Sequence, residues 1–105
     1  MEVIAKYLAG GTIWVRAYVY NQKTDALEDP TSITLTLEDA DGETKVDDLA
    51  MTKDGENTGV YDYFYNTASD SAEGWWNGEV WSTDGTGETA KKSWAEFSVE
   101  VKKGL

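Results

Sequence analysis

Apolar and polar residues alternate through several short stretches of the chain, and no segment carries a convincing helical period. In residues 12–20, Ile13, Val15, Ala17 and Val19 fall on one side, and Trp14, Arg16, Tyr18 and Tyr20 on the other. A period of two with β-branched and aromatic residues predicts a strand. Gly10-Gly11 separates it from an earlier short strand over residues 2–8. Residues 32–38 repeat the pattern, with Ile33, Leu35 and Leu37 inward and Ser32, Thr34, Thr36 and Glu38 outward. Pro30 lacks an N–H and restricts Asp29, which suits the entrance to that strand. A closing strand over about 90–102 points Ala95, Phe97, Val99 and Val101 inward and Trp94, Glu96, Ser98 and Glu100 outward. Its register has room for a slip near Ser93.

Other stretches are less regular. Thr44 and Val46 suggest one short strand, and Leu49 to Thr52 another short piece. Residues 60–67 form a strand whose facing the pattern leaves open. Tyr61, Tyr63 and Tyr65 share one register, Val60 and Phe64 the other. In residues 75–83, Trp76, Gly78 and Val80 share one face and Trp75, Asn77, Glu79 and Trp81 the other. Trp75 and Trp76 are adjacent, so one of them points outward whichever face is buried. Loops are expected at 21–31, 53–59 and 68–74, and turns at 39–42 and 84–87, with Gly42 free to take a positive φ. Ala26 to Asp29 has room for one helical turn. Seven or eight short strands with closely spaced turns predict an all-β sandwich or barrel.

The length of 105 residues fits one domain, residues 1–105. An apolar fraction of 40%, with 5 Trp, 6 Tyr and 2 Phe, supports a real core and argues against disorder. There is no cysteine, so disulfides, thiolate metal sites and cysteine nucleophiles are excluded. There is no histidine, which removes the commonest general base and transition-metal ligand. The formal charge of −11 is local. Residues 1–24 hold one acidic and three basic residues, residues 25–73 fourteen and two, and residues 74–105 five and four. Such a field repels phosphate backbones, so nucleic acid is not an expected partner. No apolar run is long enough to insert in a membrane as a helix. The start, Met1-Glu2-Val3-Ile4-Ala5-Lys6, shows no signal-peptide pattern. Either the intact protein stays inside the cell or a virus particle, or the chain is a domain of a longer one.

Candidate chemistry is sparse. Asp39, Asp41 and Glu43 alternate around a glycine turn, as oxygen ligands for calcium do. Gly42 comes too early for the helix-flanked calcium loop, and no closing glutamate follows at the right place. A plain acidic turn is the better reading. Asp47-Asp48 and Asp84 carry the same weak suggestion, as does a site assembled from Asp29 and Asp84 at one end of a sandwich. Paired carboxylates abound, but nothing singles out one pair for glycoside hydrolysis. Serine, threonine or lysine nucleophiles lack a histidine base. The chain therefore reads as a non-enzyme, with no cofactor and no metal.

The order of signals resembles the immunoglobulin-like sandwiches of bacterial, archaeal and phage proteins. The similar features are GGTIWVRAYVYN, DPTSITLTLEDADGE, TGVYDYFYNT, GWWNGEVWSTDG and a closing FSVEVKKG. The resemblance runs from about Gly11 to Val101, and the chain departs from antibody-type domains in lacking their disulfide. It implies an immunoglobulin-like β-sandwich of about seven antiparallel strands. Trp76 and Val80 would lie in the core, and Phe97 and Val99 would close the sandwich. It also implies that the last two strands are neighbours, so Trp75, Trp81 and Trp94 would share an outer face, with Asn77 and Glu79 beside them. Trp14, Tyr18 and Tyr20 would project from the other sheet. Exposed tryptophan in a contiguous patch marks a contact surface. The expected function is a structural or protein-interaction module of a surface protein or a small virion or assembly component. Its partner is another protein or a second copy. The alternative is a carbohydrate-binding module that stacks sugars on the Trp platform.

Overall fold

A computed structural model describes residues 1–85, 87 and 90–103. Each alternating stretch becomes a strand, because period two lets one face bury its apolar side chains while the other stays wet. The strands are β1 (Glu2–Leu8), β2 (Thr12–Tyr18), β3 (Ser32–Glu38), β4 (Thr44–Ala50), β5 (Thr52–Lys53), β6 (Val60–Asn66), β7 (Gly74–Asp84) and β8 (Lys91–Val101). They form two antiparallel sheets of four, in the orders β1-β2-β6-β5 and β4-β3-β7-β8. The architecture is an immunoglobulin-like β-sandwich.

The core lies between the sheets. Ile13, Val15 and Ala17 of β2 face Ile33, Leu35 and Leu37 of β3, Trp76 and Val80 of β7, and Val99 and Val101 of β8. The open facing of β6 is settled by its register with β2. Tyr65, Tyr63 and Tyr61 stand opposite Ile13, Val15 and Ala17, so the tyrosines turn inward and pack on the core. Phe64 is then forced outward, where it is 60% exposed. Of the adjacent tryptophans, Trp76 is fully buried and Trp75 is not. The Trp76 ring lies 5.8 Å from that of Tyr65, and its Nε1 donates to the Ala72 carbonyl at 2.8 Å.

Three features depart from simple alternation. β2 ends at Tyr18, two residues earlier than the pattern extends. Val19 stays buried and pairs its N–H with the Gly59 carbonyl, then Tyr20 bridges Leu27. That bridge replaces the helical turn expected over Ala26–Asp29, and Asn21 Oδ1 caps the loop by accepting from the Lys23 and Thr24 N–H groups. The two weak pieces expected over 43–54 are mostly one strand, β4, irregular in register. Leu35 opposes Leu49 and Leu37 opposes Val46, so β4 holds an extra residue there, and Asp48 lies at φ 52°. Bulges of this kind, with charges, protect a sheet edge. At the buried Met51 the chain crosses sheets: its N–H still bonds Ile33, while Thr52 and Lys53 pair with β6. The last hairpin shows no slip at Ser93. β7 and β8 pair without interruption from Gly74–Val101 to Asp84–Lys91, and the Ser82 and Ser93 hydroxyls meet at 2.7 Å. In the turn expected at 84–87, Thr86 lies outside the described residues.

The β4–β5 crossover fixes the relative direction of the sheets, so the edge strands β1 and β8 run the same way. They approach closely, with Ala5, Lys6 and Tyr7 beside Val99 and Glu100.

Gly78 is required by packing. A Cβ there would sit 2.4 Å from Cζ of Phe97 and 2.8 Å from the Thr36 carbonyl oxygen. The Phe97 ring thus fills the space that a side chain would take. Gly78→Ala is expected to lower the unfolding free energy by about 1–3 kcal/mol, the usual cost of overpacking. Urea denaturation of the variant alone and with Phe97→Leu checks the cause. A smaller penalty in the leucine background identifies the ring, and an equal one excludes it.

Candidate functional site

The outer face of the β3–β7–β8 sheet is built from cross-strand rows. Thr34, Trp81 and Trp94 form one row; Thr36, Glu79 and Glu96 the next; Glu38, Asn77 and Ser98 the third. Trp75 follows, opposite Glu100. Strand alternation turns all of them away from the core that holds Trp76, Val80 and Val99.

Trp75, Trp81 and Trp94 are all exposed, at 58, 37 and 56%. They do not form one platform. Trp81 and Trp94 are direct partners, with ring centroids 5.7 Å apart and planes tilted by 35°. Trp75 lies six residues along the same strand from Trp81, on the order of 20 Å away. Asn77 and Glu79 occupy the interval. Asn77 Oδ1 accepts from the Ser98 hydroxyl at 2.7 Å, leaving its amide N–H groups toward solvent. Glu79 is half-buried, and Glu96 opposite it is exposed. A shallow depression of about 610 Å³ runs between these side chains, lined also by Thr36 and Glu38.

Sequence reasoning placed the tryptophans, Asn77 and Glu79 on one outward face, but did not show the Glu79–Glu96 opposition or the place of Glu38 beside it. Glu96 and Glu38 read as outward residues. Their juxtaposition depends on pairings across β7–β8 and β3–β7, which periodicity within one strand does not contain.

The outer face of the other sheet is organised differently. Trp14 is half-buried rather than free, and the Arg16 guanidinium lies over its ring at 5.1 Å. Asp62, directly opposite Arg16, accepts from Arg16 Nε at 2.8 Å and Nη2 at 2.9 Å, and from Trp14 Nε1 at 2.9 Å. Asp54 adds a 3.0 Å bond to Arg16 Nη2. The Arg16 hydrogen bond holds the Asp62 carboxyl below the usual carboxylate range; burial opposes this and Trp14 assists it. This network pairs Arg16, Asp62 and the Trp14 indole with one another, and Phe64 and Ile4 stay exposed beside it.

The acidic turns serve the fold. Asp39 is buried, and its Oδ1 accepts from the Asp41 and Glu43 N–H groups at 2.9 Å each. It caps its own turn, with Gly42 at φ 84°. Asp29 accepts from Lys53 Nζ at 2.8 Å, the Gly59 N–H at 2.8 Å and the Tyr61 hydroxyl at 3.1 Å. It ties the entrance of β3 to the start of β6. The Lys53 and Gly59 bonds lower its pKa. Among the described residues no group of three or more Asp or Glu side chains is arranged to hold a metal ion, and no helix is long and apolar enough to cross a membrane.

The chain is thus a small all-β sandwich without catalytic signatures among its described residues. Compared with family models, curated proteins and solved structures, it matches none.

Proposed function

We propose that the chain is a non-catalytic interaction module that docks a protein partner on the outer face of β3, β7 and β8. The observation that carries this reading is the exposed Trp81–Trp94 pair, two large neighbouring rings left to solvent on an outer sheet face. Contiguous exposed aromatic surface is the usual material of binding hot spots. A domain of a surface protein, or a small virion or assembly component of the bacterial, archaeal or phage immunoglobulin-like type, fits this role.

Charge favours a different protein over a second copy. A two-fold contact sets the same patch against itself. Where such a contact overlaps the rows of Glu38, Glu79 and Glu96 with their own copies, like charges across the interface cost several kcal/mol, and the net charge of −11 opposes the approach of a second copy in any orientation. Sugar stacking draws less support, because the Trp81 and Trp94 planes are tilted and Trp75 is remote from them.

Panning a displayed library of random peptides against the full chain tests the reading. Peptides are expected to be enriched that shift the indole N–H resonances of Trp81 and Trp94 in the wild-type chain. Their dissociation constants should rise by about thirtyfold in Trp81→Ala/Trp94→Ala, the scale of a hot-spot loss. Recovery of no peptide that moves those resonances would remove the proposal.

A further inference from the structure

On one of its two faces, the chain completes an arrangement that it leaves open on the other. On the β1–β2–β6 face, a tryptophan ring, a cation and a carboxylate close on one another as Trp14, Arg16 and Asp62. On the β3–β7–β8 face the ring and the carboxylate recur without the cation. Trp81 stands opposite Trp94, and one outward row along, Glu79 stands opposite Glu96. Glu38 lies on the neighbouring strand one row further. Outward rows on a strand are about 7 Å apart. A cation attracted to a tryptophan ring sits within about 6 Å of its centre, so one placed between the rows reaches both rings and both carboxylates.

No group among the described residues fills that place. Among the described residues, no lysine or arginine lies within ion-pair distance of Glu38, Glu79 or Glu96. Lys92 is on the same face, one row beyond Trp94, on the side away from the glutamates. Like charges directly opposite one another destabilise a sheet pair. The Glu79–Glu96 opposition is therefore a local cost that an incoming cation relieves.

We infer that the partner presents a lysine- or arginine-bearing segment to this face, with one cationic side chain seated between the Trp81–Trp94 rings and the Glu79–Glu96 carboxylates. The inference rests on the docking reading above and names the chemistry of the partner. Complementarity is both local and global: the glutamate rows meet the cation, and the charge of −11 steers a basic segment inward while repelling an acidic one.

The enriched peptides that move the Trp81 and Trp94 indole resonances supply the test. They are expected to be richer in lysine and arginine than the unselected library. Replacing the arginine of such a peptide with citrulline, which keeps the shape and removes the charge, should weaken binding to the wild-type chain by at least about tenfold. Glu79→Gln/Glu96→Gln should weaken it by a similar factor, with an unchanged near-ultraviolet circular dichroism spectrum. Tryptophan-dependent peptides without basic residues, or with undiminished affinity after citrulline replacement, overturn the inference and leave the docking reading intact. If no peptide moves the two resonances, both fail together.

Discussion

Trp76→Ala is expected to lower the unfolding free energy by about 3–5 kcal/mol, the usual loss for a buried aromatic truncated to alanine. Small domains hold only about 5–15 kcal/mol in total, so the variant is expected to sit near its unfolding threshold. Burial, ring packing and a hydrogen bond combine to make the effect large. The side chain is the largest that is fully buried, its ring packs against Tyr65, and its Nε1 satisfies the Ala72 carbonyl. Trp76→Phe keeps much of the volume but removes that hydrogen bond, and should cost about 1–2 kcal/mol. Trp75→Ala, one residue away, is expected to change stability by no more than about 0.5 kcal/mol, because its ring faces solvent. Urea denaturation of the three variants checks the order. Similar losses at Trp75 and Trp76 would contradict the assigned facing of β7.

The second large effect is expected at Asp62. Asp62→Asn leaves the half-buried Arg16 with only Asp54 as an ionic partner, and should cost about 2–3 kcal/mol, somewhat below the loss for a fully buried pair. Asp54→Asn removes a more exposed partner of the same arginine and should cost less than about 1 kcal/mol. The pH dependence carries a definite sign. The folded carboxyl of Asp62 titrates below its unfolded value, which is about 3.9. Its contribution is therefore complete above pH ~4 and is lost as pH falls through the lower folded value. Thermal melts of wild type and Asp62→Asn between neutral and strongly acidic pH should show a gap that is constant down to about pH 4 and then narrows. Taking the difference removes the general titration of the other carboxylates, including Asp29, whose pKa is also lowered. A gap that stays constant to the lowest pH at which the chain remains folded would show that the Asp62 charge is not what stabilises this face.

These two residues mark where sequence reading succeeds and where it stops. The alternation puts Trp76, Gly78 and Val80 on one face, the resemblance to immunoglobulin-like sandwiches implies that this face is the core, and Trp76 is fully buried. Asp62 sits in a run of tyrosines with ambiguous facing, and its partner Arg16 is 46 residues away. Only the register of β2 with β6 brings the two together. The same register decides that the tyrosines of β6 turn inward and that Phe64 is left outside. At β4 the alternation itself is broken, because one extra residue between Thr44 and Val46 and another between Val46 and Leu49 each shift the phase of the side chains that follow. A strand then reads as two fragments.

The face that carries the proposed function divides in the same way. Its five residues named from sequence, Trp75, Asn77, Glu79, Trp81 and Trp94, are outward for a local reason: strand period two, once the buried side is known. Their grouping is not local. Trp81 meets Trp94, and Glu79 opposes Glu96, because the β7–β8 hairpin pairs in one register, whereas Trp75 stays apart by the length of strand between.

The sequence by itself determined the all-β class, most strand positions, the inward residues of β3 and β8, the two alternating faces of β2 and β7, and the absence of histidine and cysteine chemistry. Each of these depends on neighbours along the chain or on composition alone. The tertiary structure decided the facing of β6, the sheet switch at Met51, the Arg16–Asp62 lock and the opposition of two glutamates beside two tryptophans. Each of these depends on which residues stand across from one another, and cross-strand register is set by the packing of both sheets together.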